Sequence, residues 1–597
     1  MTYRAPVRDM IDTIRHAAGF DAIQAQGLYG ELGADLIEQV LDEAGRFAAD
    51  RLAPLNRVGD THGATFADGV VTTAPGWKEA YGAWAAAGWN AVAGPPEWGG
   101  QGLPLVVQVA CAEMWNSACM AFSLAPLLTS GAIEALSAHA TPELKRTYLE
   151  KLVAGVWTGT MNLTEPQAGS DLSALRARAV PASDGSYRVT GQKIFITYGE
   201  HDMTDNIVHL VLARLPDAPP GTRGISLFLV PKFLVNPDGS LGARNDVRCA
   251  SIEHKLGVHA SPTCVMAFGD EGGAVGYLIG EENRGLACMF TMMNNARLSV
   301  GIQGVAIAER AFQQALAYAQ ERRQGRAGGS ADAMSAIVAH PDVQRMLMTM
   351  KALTAAARAI CYRTAAALDG AHLASDPATR AAAHAHASLL TPVAKAFSTD
   401  IGVEVASLGV QIHGGMGFIE ETGAAQHLRD ARIAPIYEGT NGIQAIDLVA
   451  RKLPVAGGET VRAAIAAMRV TAARATNARV DGLGTTAARL RDAAESLDRA
   501  TAYMLKALAG NAPDDALAGA APYLRLFGLA EGLSAMTASA LAAHEAMAAG
   551  DTNPAHAGRI ALTRFFAENV APAASGLEQT VLGGAPSVQA APLVLAG

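Results

Sequence analysis

Cysteine, charge and long apolar runs are all scarce in this chain of 597 residues, and each shortage excludes a class of protein. The six cysteines include no CxxC pair and no His/Cys ligand spacing, so neither a disulfide scaffold nor a metal site is indicated. Only 17% of the residues are charged, and the net charge of −9 offers no basic surface to nucleic acid or anionic membrane. The N-terminal segment lacks an apolar signal core, and no apolar run approaches the ~20 residues that span a bilayer. These absences predict a cytoplasmic protein with reduced thiols, no metal, no membrane span and no nucleic-acid partner.

Two common nucleotide-binding fingerprints are also missing. No GxGxxG follows a predicted strand, and no GxxxxGK precedes a Ser or Thr, so neither a Rossmann nor a P-loop site is indicated. Apolar residues, in contrast, make up 50% of the chain, and alanine dominates from about residue 300 onward. This composition predicts a large core and favours helix in the second half.

Local composition and apolar periodicity predict four segments. Residues 1–156 show helical periodicity, and residues 157–280 contain short runs rich in β-branched and aromatic residues between turn clusters. Helical patterns return over 281–455, and 456–597 is an alanine-rich helical extension with near-equal numbers of basic and acidic residues. The predicted fold class is therefore mainly α with a small antiparallel β domain in the middle, and the extension is interpreted as a packing and interface domain.

One N-terminal helix illustrates the expected periodicity. Over residues 35–52 the apolar side chains Leu36, Val40, Ala44 and Phe47 would fall on one face, with carboxylates opposite. This spacing predicts that these four side chains face the core.

Two glycine-rich loops, GGMG at 414–417 and EGTNG at 438–442, are the most informative part of the chain. Glu438 is the only carboxylate between residues 431 and 446 and follows an apolar run, so we expect it in a largely apolar place. There its pKa would be raised, and it could act as a base near neutral pH. Gly439 would let backbone and ligand come close, because it has no Cβ. From these residues alone, an ordinary loop with one solvated glutamate is slightly favoured.

The wider set of motifs changes that balance. Together with MNLTEPQAGSDL at 161–172, GQKIFIT at 191–197 and PPEWGG at 95–100, the phrases QIHGGMGF and IYEGTNGIQ resemble the acyl-CoA dehydrogenase flavoproteins over roughly residues 30–455. The resemblance implies a helical N-terminal domain, a β-barrel or sandwich middle domain and a helical bundle, followed here by an extra C-terminal helical domain. It also implies FAD as cofactor and α,β-dehydrogenation of an acyl-CoA thioester to a 2-enoyl-CoA.

The resemblance assigns cofactor contacts to two parts of the chain. It implies that the flavin ring and its neighbourhood are contacted by Leu163, Thr164, Gly169, Ser170, Phe195, Thr197, Thr440 and Asn441. It implies that the pyrophosphate is bound from the neighbouring subunit by Arg322, Gln411, Gly414 and Gly415, so a homo-oligomer is expected, with a dimer favoured. The family often has Trp where Phe195 stands, and Gly325 replaces the aromatic residue usually found three positions after the arginine.

The resemblance also assigns the catalytic and substrate residues. Glu438 would remove the α-proton, while Tyr437 and Gly439 line the acyl end. The CoA arm would be contacted by Ser170, Asn294 and Arg297, and the last two are expected at the start of the long helix after the β domain. An ordinary polar residue near a helix start is an equally open interpretation of Asn294. An electron-transferring flavoprotein is the expected acceptor, with direct use of oxygen left open.

The extension and the phrases ERRQGR and MMNNARLSVG are most similar to a bacterial branch of the family. Its members act on 3-methylthiopropionyl-CoA (3-methylmercaptopropionyl-CoA) or on fatty acyl-CoAs, so a short sulfur-containing or a short or medium fatty acyl group is expected. The alternative is a DNA-associated alkylation-response flavoprotein of the same fold. That activity needs a basic extension, and the extension here carries 11 Lys/Arg against 12 Asp/Glu.

Overall fold

The N-terminal part of the chain is helical. The structure, a computed structural model, describes residues 3–25, 27–30, 32–328, 334–510 and 512–596, without the side chains of residues 22, 25 and 294. Within these ranges the first elements are α1 Val7–Asp12, α2 Phe20–Ala25, α3 Ala34–Phe47, α4 Ala53–His62, β1 Thr65–Ala67, β2 Val70–Thr72, α5 Trp77–Ala86, α6 Leu105–His139 and α7 Pro142–Val153.

Helix α3 forms where the periodicity predicts it, but a different face is buried. Ile37 and Leu41 are buried together with Ala44, whereas Leu36 is 46% exposed. The prediction is therefore wrong for Leu36, whereas Val40 and Phe47 are partly buried and pack against the core. Helix α3 has apolar residues at both 36/40 and 37/41, so its periodicity fits two neighbouring faces. Packing of α3 against α6 buries the face that contains Ile37 and Leu41.

The middle of the chain is a β domain. Its strands are β3 Thr158–Asn162, β4 Arg178–Pro181, β5 Tyr187–Thr197, β6 Ile207–Ala213, β7 Ser226–Pro231, β8 Phe233–Val235, β9 Leu241–Arg244, β10 Val247–Ile252, β11 Thr263–Phe268 and β12 Ala274–Ile279.

The main sheet has the strand order β10-β11-β5-β12-β7-β6-β3, with β4 added beside β5. The pairs in this sheet are antiparallel except β3 with β6, which is parallel. The prediction of a purely antiparallel domain is thus wrong at one edge. The chain leaves β3 through β4 and β5 before it returns as β6, and such a crossover lets two neighbouring strands run in the same direction.

Helices resume after the β domain and continue to the C-terminus. They are α8 Gly285–Glu321, α9 Pro341–Leu373, α10 Pro377–His413, α11 Ala424–Ala431, α12 Asn441–Asp447, α13 Glu459–Ala478, α14 Thr486–Ala509, α15 Pro513–Ala518, α16 Ala520–Ala548, α17 Ala555–Phe565, α18 Ala573–Gly583, α19 Ala585–Gln589 and α20 Ala591–Leu595. The predicted class, mainly α with a central β domain and an extra helical C-terminal part, is confirmed.

Helices α8 and α10 approach each other closely at glycines. A Cβ on Gly304 would lie 2.2 Å from the backbone oxygen of Ser398, and one on Gly301 would lie 2.6 Å from the oxygen of Ala394. The two helix backbones are therefore in direct contact, which no larger residue at either glycine would permit.

The C-terminal extension shares the core of the bundle. Helix α16 packs on α9 and α10, and a Cβ on Gly528 would lie 2.2 Å from Cδ2 of Phe397. Within the described ranges, α6 and α16 are long and apolar enough to cross a bilayer by length and composition, and 83% and 89% of the apolar stretch, respectively, is buried inside the protein. Both helices form part of the core.

Candidate active site

Residues 435–441, which we call the PIYEGTN loop, join α11 to α12 in a conformation that is closed on itself. The backbone N–H of Asn441 donates to the oxygen of Pro435 at 3.0 Å. Inside this closure, Glu438 has φ +53° and Gly439 has φ +90°. A left-handed backbone at a non-glycine residue costs of order 1 kcal/mol and persists only where the surroundings hold it. Glu438 is thus presented on a strained turn.

Glu438 is partly buried, and two cations face it. Burial raises the pKa of the Glu438 carboxyl, while the charges of Arg297 and Lys395 oppose that rise. The sequence predicts a largely apolar place with a raised pKa. The structure agrees with the predicted direction of the pKa shift. It also places two cations beside Glu438 that the sequence did not predict there: Lys395, to which no site role was assigned, and Arg297, which was expected only at the CoA arm.

Asn441 fastens the PIYEGTN loop to α10. Its side-chain oxygen accepts hydrogen bonds from Lys395 Nζ at 2.8 Å and from Thr399 Oγ1 at 3.2 Å. Its side-chain nitrogen donates to Asp400 Oδ1 at 2.7 Å. Thr440 caps α12, because its hydroxyl accepts from the N–H of Ile443 at 3.3 Å. The side chains of both residues thus have partners inside the chain, and the cofactor contacts expected for them stay predictions.

Buried amides surround the rest of this loop. The hydroxyl of Tyr437 donates to Oε1 of Gln303, which is buried on α8. Gln444 is buried beneath Gly439, with its Nε2 only 2.4 Å from where a Cβ of that glycine would be. Among the described residues, Nε2 of Gln303 and both amide atoms of Gln444 have no hydrogen-bond partner. Such unpartnered buried groups are uncommon and indicate that a ligand group or water belongs beside them.

Arg297 is buried in the middle of α8. It lies twelve residues beyond the helix start at Gly285, so its expected place at the start of the helix is wrong. Its Nη1 is 3.6 Å from Oδ2 of Asp447, and its guanidinium lies 5.9 Å from the ring centre of Phe290. The side chain of Asn294, predicted to contact the CoA arm with Arg297, lies outside the described residues.

The MNLTEPQAGSDL segment is held by a buried ion pair. Lys193 Nζ donates to Oε1 of Glu165 at 2.8 Å and to the backbone oxygen of Leu163 at 3.1 Å, and both charged side chains are at most 3% exposed. Although burial alone would raise it, Lys193 and the N–H groups of Arg176 and Ala177 hold the pKa of Glu165 below its usual range. Glu165 and Lys193 were not singled out from the sequence, although two opposite charges beside predicted strands were the available signal.

Phe195 stands on a bulge in β5. Between Cys264 and Met266 the register against β5 shifts, and Phe195 takes φ +61° there. The residue is 58% exposed. Bulges re-aim side chains next to active sites, and this one turns a large aromatic ring outward beside partly buried Thr197.

The MNLTEPQAGSDL segment lies against β5 and is partly open to solvent. The backbone oxygen of Thr164 accepts from the N–H of Ile194 at 2.9 Å, which fixes the loop against β5. Gly169 and Ser170 are exposed, and nothing lies within 4 Å of where a Cβ of Gly169 would be. The structure therefore brings Leu163, Thr164, Phe195 and Thr197 together on adjoining backbone.

The residues that are predicted to bind the pyrophosphate lie at the C-terminal ends of α8 and α10. The ring of Tyr318 stacks on that of His413 with centroids 4.4 Å apart, which joins the two helix ends. Arg322, which follows α8, is exposed there. On the α10 side, Gln411, Gly414 and Gly415 are exposed as the predicted contacts require, and the two glycines have nothing within 4 Å of an added Cβ.

Family comparisons agree with this architecture segment by segment. The acyl-CoA dehydrogenase N-terminal domain matches residues 34–156, the middle domain 160–270 and the C-terminal domain 283–453. A further description, acetyl-CoA dehydrogenase C-terminal like, matches residues 460–592.

Individual relatives extend the match to nearly the whole chain. A 3-methylmercaptopropionyl-CoA dehydrogenase of Ruegeria pomeroyi is 50% identical over 572 residues, 96% of each chain. A butyryl-CoA dehydrogenase of Syntrophomonas wolfei is 38% identical over 440 residues, 72% of each chain. The crystal structure of Caenorhabditis elegans ACDH-11 in complex with C11-CoA has the same fold, with a TM-score of 0.76 at 20% identity, covering 95% of this chain and 91% of that one. On these matches, the chain belongs to the acyl-CoA dehydrogenase family of oxidoreductases.

Proposed function

We propose that this acyl-CoA dehydrogenase uses Glu438 as the base that removes the α-proton of the acyl thioester, with FAD as cofactor. The observation that carries the proposal is the partly buried carboxylate on a strained loop, with its pKa raised by burial and two cations beside it. A base for an α C–H needs a raised pKa and a place shielded from water. The loop supplies the raised pKa, and the partial burial of Glu438 limits its contact with water.

FAD fits the groups that this chain presents. The exposed ring of Phe195 and the backbone near Thr164 would hold the flat ring system, with Leu163, Thr197, Gly169 and Ser170 around it. The exposed Arg322 guanidinium suits pyrophosphate because its fork bonds two oxygens at once. Gly414 and Gly415, with open space where side chains would be, let backbone N–H groups face an anion beside Gln411. When bound, FAD supplies the acceptor for the β-hydrogen, which leaves as hydride.

The residues of the chain would act on the α-proton and the thioester. Glu438 would take the proton, and Gly439, whose missing Cβ leaves room for the buried Gln444 amide, would lie beside the thioester. The backbone N–H of Glu438 would stabilise the charge that develops on the thioester oxygen, and losing such a donor typically costs about 3 kcal/mol in the barrier. Tyr437, held by Gln303, would line the acyl end, and Thr440 and Asn441 would border the flavin side. Ser170, Asn294 and Arg297 would face the CoA arm.

The proposed substrate is 3-methylthiopropionyl-CoA, with short or medium fatty acyl-CoAs as the neighbouring class. The identity of 50% with the Ruegeria pomeroyi enzyme over 96% of both chains supports it. An electron-transferring flavoprotein is the proposed acceptor, and a cytoplasmic homodimer with the segments 1–156, 157–280, 281–455 and 456–597 as its domains is the proposed assembly. None of the relatives described above supports the DNA-associated alternative.

Anaerobic bleaching of the flavin absorbance by a panel of acyl-CoAs tests the substrate proposal. The panel runs from butyryl-CoA to palmitoyl-CoA and includes 3-methylthiopropionyl-CoA. We expect the sulfur-containing thioester to bleach fastest, followed by the short fatty acyl-CoAs. Fastest bleaching by palmitoyl-CoA would contradict the substrate proposal but keep the reaction. No bleaching by any thioester would contradict both.

A further inference from the structure

Lys395 is a completely buried cation whose hydrogen-bond partner is neutral. It lies on α10, and its Nζ donates to the side-chain oxygen of Asn441 at 2.8 Å. Burying an ammonium is costly unless it is paired. The charged groups that face it are Glu438, Asp400 and Arg297. A buried ammonium that donates to a neutral amide indicates a role other than packing.

The backbone around Lys395 leaves it little room to move. The preceding residue, Ala394, has its carbonyl oxygen 2.6 Å from where a Cβ of Gly301 on α8 would be. Pro392 and Phe397 on the same stretch of α10 are also buried. The ammonium is therefore delivered to Asn441 from a fixed element, and Asn441 in turn closes the PIYEGTN loop through its own backbone.

The charge of Lys395 is less compensated than that of the other nearby cation. Arg297 has the carboxylate of Asp447 at 3.6 Å, whereas Lys395 donates to an amide. Burial lowers the pKa of Lys395 to about 7, with Asp400 and Glu438 acting in the opposite direction. Near neutral pH a substantial fraction of the side chain is therefore charged.

We propose that Lys395 is a positioning residue for Glu438: it fixes the PIYEGTN loop through Asn441, and its charge favours the ionised carboxylate. This inference rests on the proposed role of Glu438 as the base. The loop contact sets where the carboxylate stands relative to the α-carbon, and the charge sets the pH at which the carboxylate is ready to accept a proton. Nothing in this role requires Lys395 to touch substrate.

The first test replaces the ammonium by a thioether of similar length in the FAD-loaded enzyme. Lys395→Met should lower the rate of anaerobic bleaching by saturating acyl-CoA about 100-fold, because a displacement of about 1 Å costs that much. The loss should appear in kcat and not in KM. The midpoint of the rising rate against pH should move up by about one pH unit, because Glu438 loses an opposite charge.

Lys351→Met is the matched control. Lys351 is a partly buried lysine on α9 whose Nζ donates to Asp9 at 2.6 Å, away from the loop. This variant should keep the wild-type midpoint. A Lys395→Met enzyme with the wild-type rate and midpoint would overturn the positioning role.

The second test reads the loop without any reaction. Hydrogen exchange of the peptide that contains residues 435–441 should be about tenfold faster in Lys395→Met, because the closing N–H of Asn441 loses its support. Asn441→Ala breaks the same contact from the loop side and should raise exchange equally, even if the lysine variant folds poorly. Adding Lys395→Met to Asn441→Ala should then slow bleaching less than tenfold further. Unchanged exchange in both single variants, or fully multiplicative rate losses, would overturn the proposal.

Glu438→Gln separates this proposal from the one it rests on. If that variant bleaches at the wild-type rate, the base assignment is wrong and the role of Lys395 falls with it. If Glu438→Gln is inactive while Lys395→Met behaves as wild type in rate, midpoint and exchange, the positioning role alone is overturned.

Discussion

At the scale of single residues, the site is built from side chains in conditions that most residues avoid. Glu438 and Phe195 both have left-handed backbones, and Glu165 with Lys193 forms an ion pair closed to solvent. Strain and buried charge cost stability wherever they occur, and both also occur elsewhere, as at Tyr198 and in the buried Glu113–Arg358 pair. In the site they coincide with the predicted catalytic and flavin positions.

Removing the cation of the buried pair should be costly for both folding and cofactor. Lys193→Met leaves the carboxylate of Glu165 buried without its partner, which we expect to lower the free energy of unfolding by about 3–5 kcal/mol. The same change frees the backbone of Leu163, so the purified variant should lose flavin. Urea unfolding and the flavin-to-protein absorbance ratio measure the two effects.

An exposed ion pair in the same sheet provides the control for that experiment. Arg248 on β10 pairs with Asp270 at 2.7 Å, with side chains 60% and 47% exposed. Arg248→Met should change stability by about 1 kcal/mol or less and keep the flavin, because solvent screens the pair. Equal stability of Lys193→Met and Arg248→Met would show that burial adds nothing to the Glu165 pair.

At the scale of elements, the contact between α8 and α10 determines where the site cations stand. Arg297 and Lys395 lie on different helices, and the glycines of α8 bring the two backbones together. A larger residue at this crossing would separate the helices and with them the two charges that face Glu438.

Gly304→Ala tests the crossing directly. The new Cβ would meet the backbone oxygen of Ser398 at 2.2 Å, and backbone yields less easily than a side chain. We expect a loss of about 1–3 kcal/mol in unfolding free energy, measured by urea denaturation. Gly576→Ala in α18, where nothing lies within 4 Å, should be neutral or slightly stabilising because alanine favours helix. A Gly304→Ala protein as stable as the Gly576→Ala protein would contradict the close contact.

The type of each secondary-structure element was largely predictable from the sequence. Which face of an element is buried, and which charged groups lie beside each other, was not predictable. The β-branched runs and the helical periodicity gave the order of helices and strands, because both signals are local. The buried stripe of α3, the parallel β3–β6 pair and the depth of Arg297 within α8 depend on contacts between distant segments. The motif residues were found through their resemblance to a family. Glu165 and Lys193 lie inside the phrases MNLTEPQAGSDL and GQKIFIT, and Lys395 lies outside all of the phrases. The roles of these three residues follow only from what they contact in the structure.

At the scale of the whole molecule, the extension is part of the enzyme's core and not an appended module. Helix α16 is mostly buried against α9 and α10, and Gly528 meets the ring of Phe397, two residues from Lys395. The C-terminal segment thus supports the helix that supports the PIYEGTN loop. This continuity agrees with a full-length relative that matches 96% of both chains.

The central claim is that Glu438 is the base, and anaerobic flavin bleaching of Glu438→Gln by 3-methylthiopropionyl-CoA, or by whichever thioester bleaches the wild type fastest, tests it most directly. The substitution keeps shape and removes the basic oxygen. We expect the variant to retain FAD and bind the thioester but to bleach about 1,000-fold more slowly than the wild type. Bleaching of the holo-variant at the wild-type rate would show that another group takes the proton and would contradict the account.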